Sequence, residues 1–365
     1  MKQLKIVLLS VLIGVGVAIT YFYFELAVRR GIQFVWEDAL NTTAHRWLVV
    51  PLCLVLTVVF FGVQHLLDPK SEKVKSKGLG EVPTPTVSNF VKVLVLGFLS
   101  LVAGASLGPE AVLVPACMLL GSYIGIKLYD TTKPTAFLFG VAGFIALFVA
   151  FFNSFLVGML AILLVKKQFK AKITPQLFVV ALISAASAAL MLKLLDSRAY
   201  VTMPHYSWKL SGASILMLVV LAIGGYFMTY ILGFVQRIAS FLLKTVSKKQ
   251  WWLQGLIAGA GLSLLYLAGG TLVQFTGNES VAPLLKDATS LGVVGLVWIL
   301  LVKLAAIGWS KASGYRGGLV FPMLFSASVL VAIAQLSMSQ LNFIYGLIVV
   351  MVGIIAADAK VKTLF

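Results

Sequence analysis

The segment Gly104-Ala-Ser-Leu-Gly-Pro-Glu-Ala111 places a carboxylate, Glu110, directly after a Gly-Pro break between two apolar runs. Proline lacks an amide N–H and suits the first turn of a new helix, so Gly108 and Pro109 predict a helix that begins inside apolar sequence. The first amides of such a helix have no partner within it and present about half a positive charge. Together they form a ready site for an anion. An ionisable group placed there costs roughly 2.5–3.5 kcal/mol on insertion scales unless it is paired or hydrated. Glu110 is therefore read as a functional acid, against the plainer reading of a carboxylate that caps its helix or meets water. Glu25 and Asp358 also fall in apolar stretches, but neither adjoins a Gly-Pro break, and both are read as interfacial or structural.

A second break lies in Ser313-Gly-Tyr-Arg-Gly-Gly-Leu-Val-Phe-Pro-Met-Leu324. Gly317 and Gly318 let the backbone approach a bound species closely, and Leu319, Val320 and Phe321 open another helix with free amides. One Gly-rich turn is a weak signal, because helix packing explains most such glycines. Two of them, one in each half of the chain, are more specific. A third stretch, Lys77-Gly-Leu-Gly-Glu-Val82, offers either one more helix N-terminus or an ordinary cytoplasmic turn.

Other chemistry finds no support. Cys53 and Cys117 are isolated in apolar sequence and give neither a disulfide framework nor metal spacing. His45, His65 and His205 are scattered, so no zinc site or catalytic triad can be assembled from them. With no acid pair and no nucleophile–base set, an enzyme, a metal and a cofactor are not expected.

The elements that must position these residues follow from composition. The chain is 60% hydrophobic and 11% charged, where a soluble domain carries about 25% charged residues. Such a chain cannot cover itself with polar surface in water, so the bilayer is its solvent. Apolar runs fall near residues 6–27, 48–66, 90–107, 111–128, 135–165, 176–195, 211–243, 252–275, 289–308, 319–336 and 341–357. The run 135–165 is too long for one upright helix, and its break is placed at Phe151-Phe-Asn-Ser154. The N-terminal run continues to Leu26 without a small-x-small cleavage site, which favours a retained membrane helix over a signal peptide.

The net charge of +17 is not a nucleic-acid stripe, since the basic residues cluster in short loops. Lys70, Lys73, Lys75 and Lys77 form one cluster; Lys166, Lys167, Lys170 and Lys172 a second; Lys244, Lys248 and Lys249 a third. By the positive-inside bias all three are cytoplasmic. The count of crossings then puts the N-terminus in the cytoplasm of a multi-pass protein of the cell's inner membrane. The chain divides near residue 172 into membrane halves 1–172 and 173–365, with no soluble domain. Broken helices paired across two halves are the signature of an inverted-repeat transporter.

Taken together, these segments resemble the CLC family of chloride channels and transporters. Gly108-Pro-Glu-Ala111 is similar to the family's Gly-Arg/Lys-Glu-Gly-Pro motif, with Glu110 at the gating glutamate and Gly121 at the glycine later in the same helix. Gly317-Gly-Leu-Val-Phe-Pro-Met-Leu324 resembles Gly-Gly-Ile-Phe-Ala-Pro-Met-Leu, Phe152-Asn-Ser-Phe-Leu-Val-Gly158 resembles Phe-Asn-Ala-Pro-Leu-Ala-Gly, and Gly78-Leu-Gly-Glu81 resembles the end of Gly-Ser-Gly-Ile-Pro-Glu. All four occur in the family's order. The resemblance implies an all-α polytopic fold of broken and re-entrant helices arranged as an inverted repeat. It also implies a homodimer in the lipid bilayer with one pathway per subunit, and chloride or a similar small anion as the species passed.

The resemblance assigns Glu110 as the gate. The anion site is then Gly108, Pro109, Ala111 and Gly317, Gly318, Leu319, Val320, Phe321, with the amides of Leu319 and Val320 as donors. An inner site would be Lys77, Gly78, Leu79 and Gly80, where Lys77 stands at the motif's central serine. The inner glutamate of proton-coupled members falls on Val165, the residue type of channel members. Residues 358–365 do not supply the family's anion-contacting tyrosine. The expectation is passive, Glu110-gated anion flux. Anion/proton antiport, fluoride export and a non-conducting scaffold are the alternatives.

Overall fold

The computed structural model describes residues 2–67, 85–129, 132–169, 173–197, 212–243 and 250–361. The described chain is helical throughout its ordered elements. The helices are α1 (Lys2–Ile32), α2 (Val49–Leu67), α3 (Val87–Val102), α4 (Glu110–Leu128), α5 (Lys133–Phe152), α6 (Phe155–Phe169), α7 (Pro175–Leu194), α8 (Gly212–Leu243), α9 (Trp251–Gly269), α10 (Val281–Ser313), α11 (Val320–Ser337) and α12 (Phe343–Val361). Among the described residues, ten helical stretches are long and apolar enough to cross a membrane. The α3 helix and residues 155–165 of α6 are apolar but shorter. At 1.5 Å per residue a helix needs about 20 residues to span the hydrocarbon. The 31, 32 and 33 residues of α1, α8 and α10 exceed that. The α10 helix is interrupted: Gly292 has φ 63° and ψ 179°, a conformation only glycine adopts readily, and it divides the element.

Two compact units can be separated. The first comprises Met1–Arg30, Ser71–Phe98 and Ala111–Val201. Here α4, α5 and α7 approach closely through small residues. A Cβ built on Gly121 would lie 2.1 Å from the carbonyl oxygen of Phe139, so that position of α4 admits only glycine against α5. Tyr21 of α1 meets Phe151 of α5 edge-on at 5.7 Å.

The break expected inside the run 135–165 falls at Asn153 and Ser154, between α5 and α6. Asn153 is the C-cap of α5 in the left-handed region, φ 45°, and its Nδ2 donates to the Ser197 carbonyl at 3.0 Å. A left-handed residue costs an ordinary L side chain about 1–2 kcal/mol, and the lost hydrogen bond about 1 kcal/mol more. Asn153→Val is therefore expected to lower the thermal midpoint of the detergent-purified protein clearly, and Asn153→Gly much less. Equal midpoints for the two variants would remove the backbone argument.

The second unit comprises Gly31–Lys70, Leu99–Glu110 and Thr202–Phe365. In it α2 packs along α9, α8 along α10 and α12, and α11 against α10 and α12. Its deepest side chains include Trp36, Phe60, Tyr266, Lys303, Phe325 and Phe343. The helix ends that matter for chemistry, at Glu110 and at Val320, both belong to this unit.

Candidate anion site

Two interrupted segments build the site. In the first, α3 ends at Val102, the chain turns at Gly104 with φ 96°, and α4 begins at Glu110. In the second, α10 ends at Ser313, Gly314 turns the chain with φ 98°, and α11 begins at Val320 after its N-cap Leu319. Gly104 and Gly314 end the preceding helices, and the new helices start directly after Pro109 and, past the N-cap Leu319, after the Gly317–Gly318 pair.

A short antiparallel bridge ties the two segments together. The Gly108 amide donates to the Gly318 carbonyl at 2.8 Å, and the Gly318 amide donates back to the Gly108 carbonyl at 2.7 Å. With the Glu110 side chain in this position, neither glycine has room for a Cβ. A Cβ on Gly318 would lie 2.3 Å from the Glu110 carboxyl carbon, and one on Gly108 would lie 2.0 Å from Oε2. The Glu110 side chain is thus folded back onto the glycine bridge.

Its carboxylate meets the first turn of α11. Oε1 accepts from the Val320 amide at 2.7 Å and from the Phe321 amide at 3.4 Å. These are two of the amides a helix start leaves open, and they favour negative charge. Oε2 is buried and has no hydrogen-bond partner among the described residues. The geometry is that of an anion held at a helix N-terminus, where the anion is a side chain of the protein itself.

Of the expected site residues, the structure brings together Gly108, Glu110, Gly317, Gly318, Val320 and Phe321. Pro109 is buried in the turn before α4, Leu319 is the buried N-cap of α11, and Ala111 follows Glu110 in the first turn of α4. Val165 lies buried in α6. Lys77, Gly78, Leu79 and Gly80 lie outside the described residues. Tyr315, between Gly314 and the Gly317–Gly318 pair, turns away: its hydroxyl shares a 2.6 Å hydrogen bond with Thr57 and its ring stacks on Phe60 at 5.5 Å.

A set of residues not found from sequence holds the Gly104–Gly108 turn. Trp36 donates through Nε1 to the Val102 carbonyl at 2.9 Å. The Tyr266 hydroxyl donates to the Gly104 carbonyl and accepts from the Phe275 amide. The Ser106 amide donates to Ser310 Oγ at 3.1 Å, and Thr276 Oγ1 donates to the Leu107 carbonyl at 2.7 Å. Apart from Tyr266 and Phe275, which are 9 positions apart, these partners stand 66–204 positions apart in the chain. A Ser, Tyr or Trp within an apolar run carries no signal of such a bond.

Comparison with known proteins places this site in context. The description of the voltage gated chloride channel family matches residues 71–362. Among curated proteins, none matches the chain in sequence. Among solved structures, a slow cyanobacterial Cl-/H+ antiporter superposes with a TM-score of 0.77 at 17% identity, covering 97% of this chain and 85% of that one. A CLC-type fluoride/proton antiporter gives 0.67 at 17% identity, covering 99% and 88%. A eukaryotic CLC transporter gives 0.66 at 13% identity, covering 98% and 72%. At these identities the structures establish the fold, and the family match extends over most of the chain. This chain, with its apolar helices and interrupted helix pair, belongs to the voltage gated chloride channel (CLC) family of multi-pass membrane proteins that transport anions.

Proposed function

We propose that the protein conducts chloride, or a similar small inorganic anion, and that Glu110 is its gate. The observation that carries this reading is the carboxylate itself, bound by the Val320 and Phe321 amides at the start of α11. An ionised Glu110 competes with a permeant anion for the same amides. Protonated, it loses that advantage, leaves, and admits the anion. Flux is therefore faster at low pH. Gly108, Pro109, Ala111 and Gly317–Phe321 line the anion's place, and residues 77–80 supply an inner station. The chain works as a homodimer of two membrane halves, 1–172 and 173–365, in the inner membrane, with the N-terminus and the three lysine clusters in the cytoplasm.

Flux is passive in this reading. Val165 stands where proton-coupled relatives carry an inner carboxylate, and a valine cannot relay a proton. A second reading, anion/proton antiport, is favoured by the printed functions of two similar structures, a Cl-/H+ antiporter and a fluoride/proton antiporter. Proteoliposomes loaded with chloride or fluoride separate the two. Passive conduction predicts anion efflux without uphill proton movement under an imposed anion gradient. Sustained uphill proton pumping, in a fixed ratio to the anion, would establish antiport instead. No flux of either anion from the purified protein would leave only a scaffold role.

A further inference from the structure

Lys303 of α10 is fully buried, and the gate described above does not use it. Its Nζ donates to the carbonyls of Val273 at 3.0 Å and Phe275 at 2.6 Å, and lies 5.2 Å from the centre of the Phe325 ring. All three partners are acceptors of positive charge: two carbonyl oxygens and the negative face of an aromatic ring. Among the described residues, both of its hydrogen-bond partners are acceptors. The surroundings fit an ammonium with its three N–H groups placed. Among the described residues, no carboxylate is among its partners. An ammonium taken out of water is expensive, and two carbonyl dipoles carry only partial charges.

The position of this charge relates it to the anion site. The Phe275 carbonyl that Lys303 holds also accepts from Ser106 Oγ at 3.1 Å. Phe275 itself sits in the left-handed region, φ 53°, where a bulky residue is strained. The ammonium therefore secures the strap 271–277 against the Gly104–Gly108 turn. Ser310, two helical turns further along α10 and so about 10 Å away, holds the Ser106 amide. Phe325 stands five residues past the start of α11. The charge thus lies behind both segments that form the site.

We propose that Lys303 is a standing internal cation of the anion pathway, a positioning and affinity-determining residue that offsets the charge of the permeant anion. This rests on the reading of Glu110 and Val320 as the anion's place. Permeant anion and ammonium complete each other's electrostatics: the anion compensates a cation whose partners among the described residues include no acid, and the cation raises the anion's occupancy. Unit charges on the order of 10 Å apart at an effective dielectric near 20 change each other's occupancy by roughly tenfold, which sets the scale of the effect.

The test uses full-length protein in liposomes and reads flux against chloride concentration, in the wild type and in a Glu110→Gln background. Lys303→Gln keeps donors for the two carbonyls and removes the charge. It is expected to raise the half-saturating chloride concentration several-fold to about tenfold, with maximal flux changed by less than twofold. Lys303→Arg keeps the charge and restores the half-saturating concentration to within about twofold of the parent. An unchanged half-saturating concentration in Lys303→Gln would overturn the proposal, as would equal loss of maximal flux in both variants, which marks a purely structural strap. The Glu110→Gln background separates the two readings. If Glu110→Gln alone leaves flux and its pH dependence untouched, the gate fails. If it frees flux but Lys303→Gln leaves chloride dependence unmoved, only the cation fails.

Discussion

Replacing Glu110 with Gln is expected to raise chloride flux at neutral pH by about ten- to hundredfold and to remove most of its pH dependence. Glutamine keeps the size of the side chain and an oxygen that can accept from Val320, but it carries no charge. A hydrogen bond to a charged group contributes roughly 1.5–3 kcal/mol, and each 1.4 kcal/mol is about a factor of ten in occupancy. The bond concerned is the 2.7 Å contact from the Val320 amide, supported by the weaker one from Phe321. The sign of the pH dependence follows from the competition. As pH falls the wild-type carboxylate takes up a proton, loses its claim on the amides, and flux climbs towards that of the variant. Fluxes of wild type and Glu110→Gln that coincide at every pH would show that the carboxylate does not contest the anion's place.

The second large effect is expected at Gly318. A Cβ there would stand 2.3 Å from both the carboxyl carbon and Oε1 of Glu110. The backbone cannot retreat, because Gly318 is held on both its amide and its carbonyl by Gly108. Two consequences of Gly318→Ala compete. The methyl unseats the carboxylate, which would open the pathway, and it occupies the space the anion must enter, which would close it. The second wins, since the carboxylate can swing out while the methyl stays. Overpacking of a tight site costs about 1–3 kcal/mol, so flux falls by roughly five- to hundredfold. The same fall is expected in a Glu110→Ala background, where no carboxylate remains to clash. A rise in flux on Gly318→Ala would mean that the anion passes elsewhere and that the glycine merely makes room for the gate.

Much of this arrangement can be read from residue types. Pro109 and the Gly317–Gly318 pair mark helix starts by what they lack, an N–H in one case and a Cβ in the other, and α4 and α11 begin beside them. Phe151-Phe-Asn-Ser154 marks a helix break because asparagine tolerates the left-handed region, and Asn153 adopts it. Helix lengths are less legible. The α1 and α10 helices run past the apolar stretches 6–27 and 289–308 because their ends carry Arg29, Arg30, Lys286, Asp287 and Lys311, which hydropathy discounts although helices accept them.

The direction of the Glu110 side chain was out of reach of sequence. Nothing in Gly-Pro-Glu says that the carboxylate folds back across a bridge made with a segment 210 positions later. Tyr266, Ser106, Thr276, Trp36 and Lys303 were missed for a related reason. Their partners are backbone carbonyls and amides, which every residue possesses, so no pairing of side-chain types betrays them. Lys303 alone carried a clue, a charged residue in the middle of the apolar run 289–308, where a lysine needs internal partners.

The central claim is that a carboxylate and a permeant anion share one set of amides. The most direct measurement is the diffraction of crystals of Glu110→Gln protein and of wild type at neutral pH, each soaked in bromide, whose anomalous signal locates the ion. The account predicts a bromide peak within hydrogen-bonding distance of the Val320 and Phe321 amides in Glu110→Gln, and a much weaker peak or none there in wild type, where Oε1 holds the position. A bromide of equal strength at those amides in both proteins, or no bromide there in a Glu110→Gln protein that passes the ion freely, would contradict it.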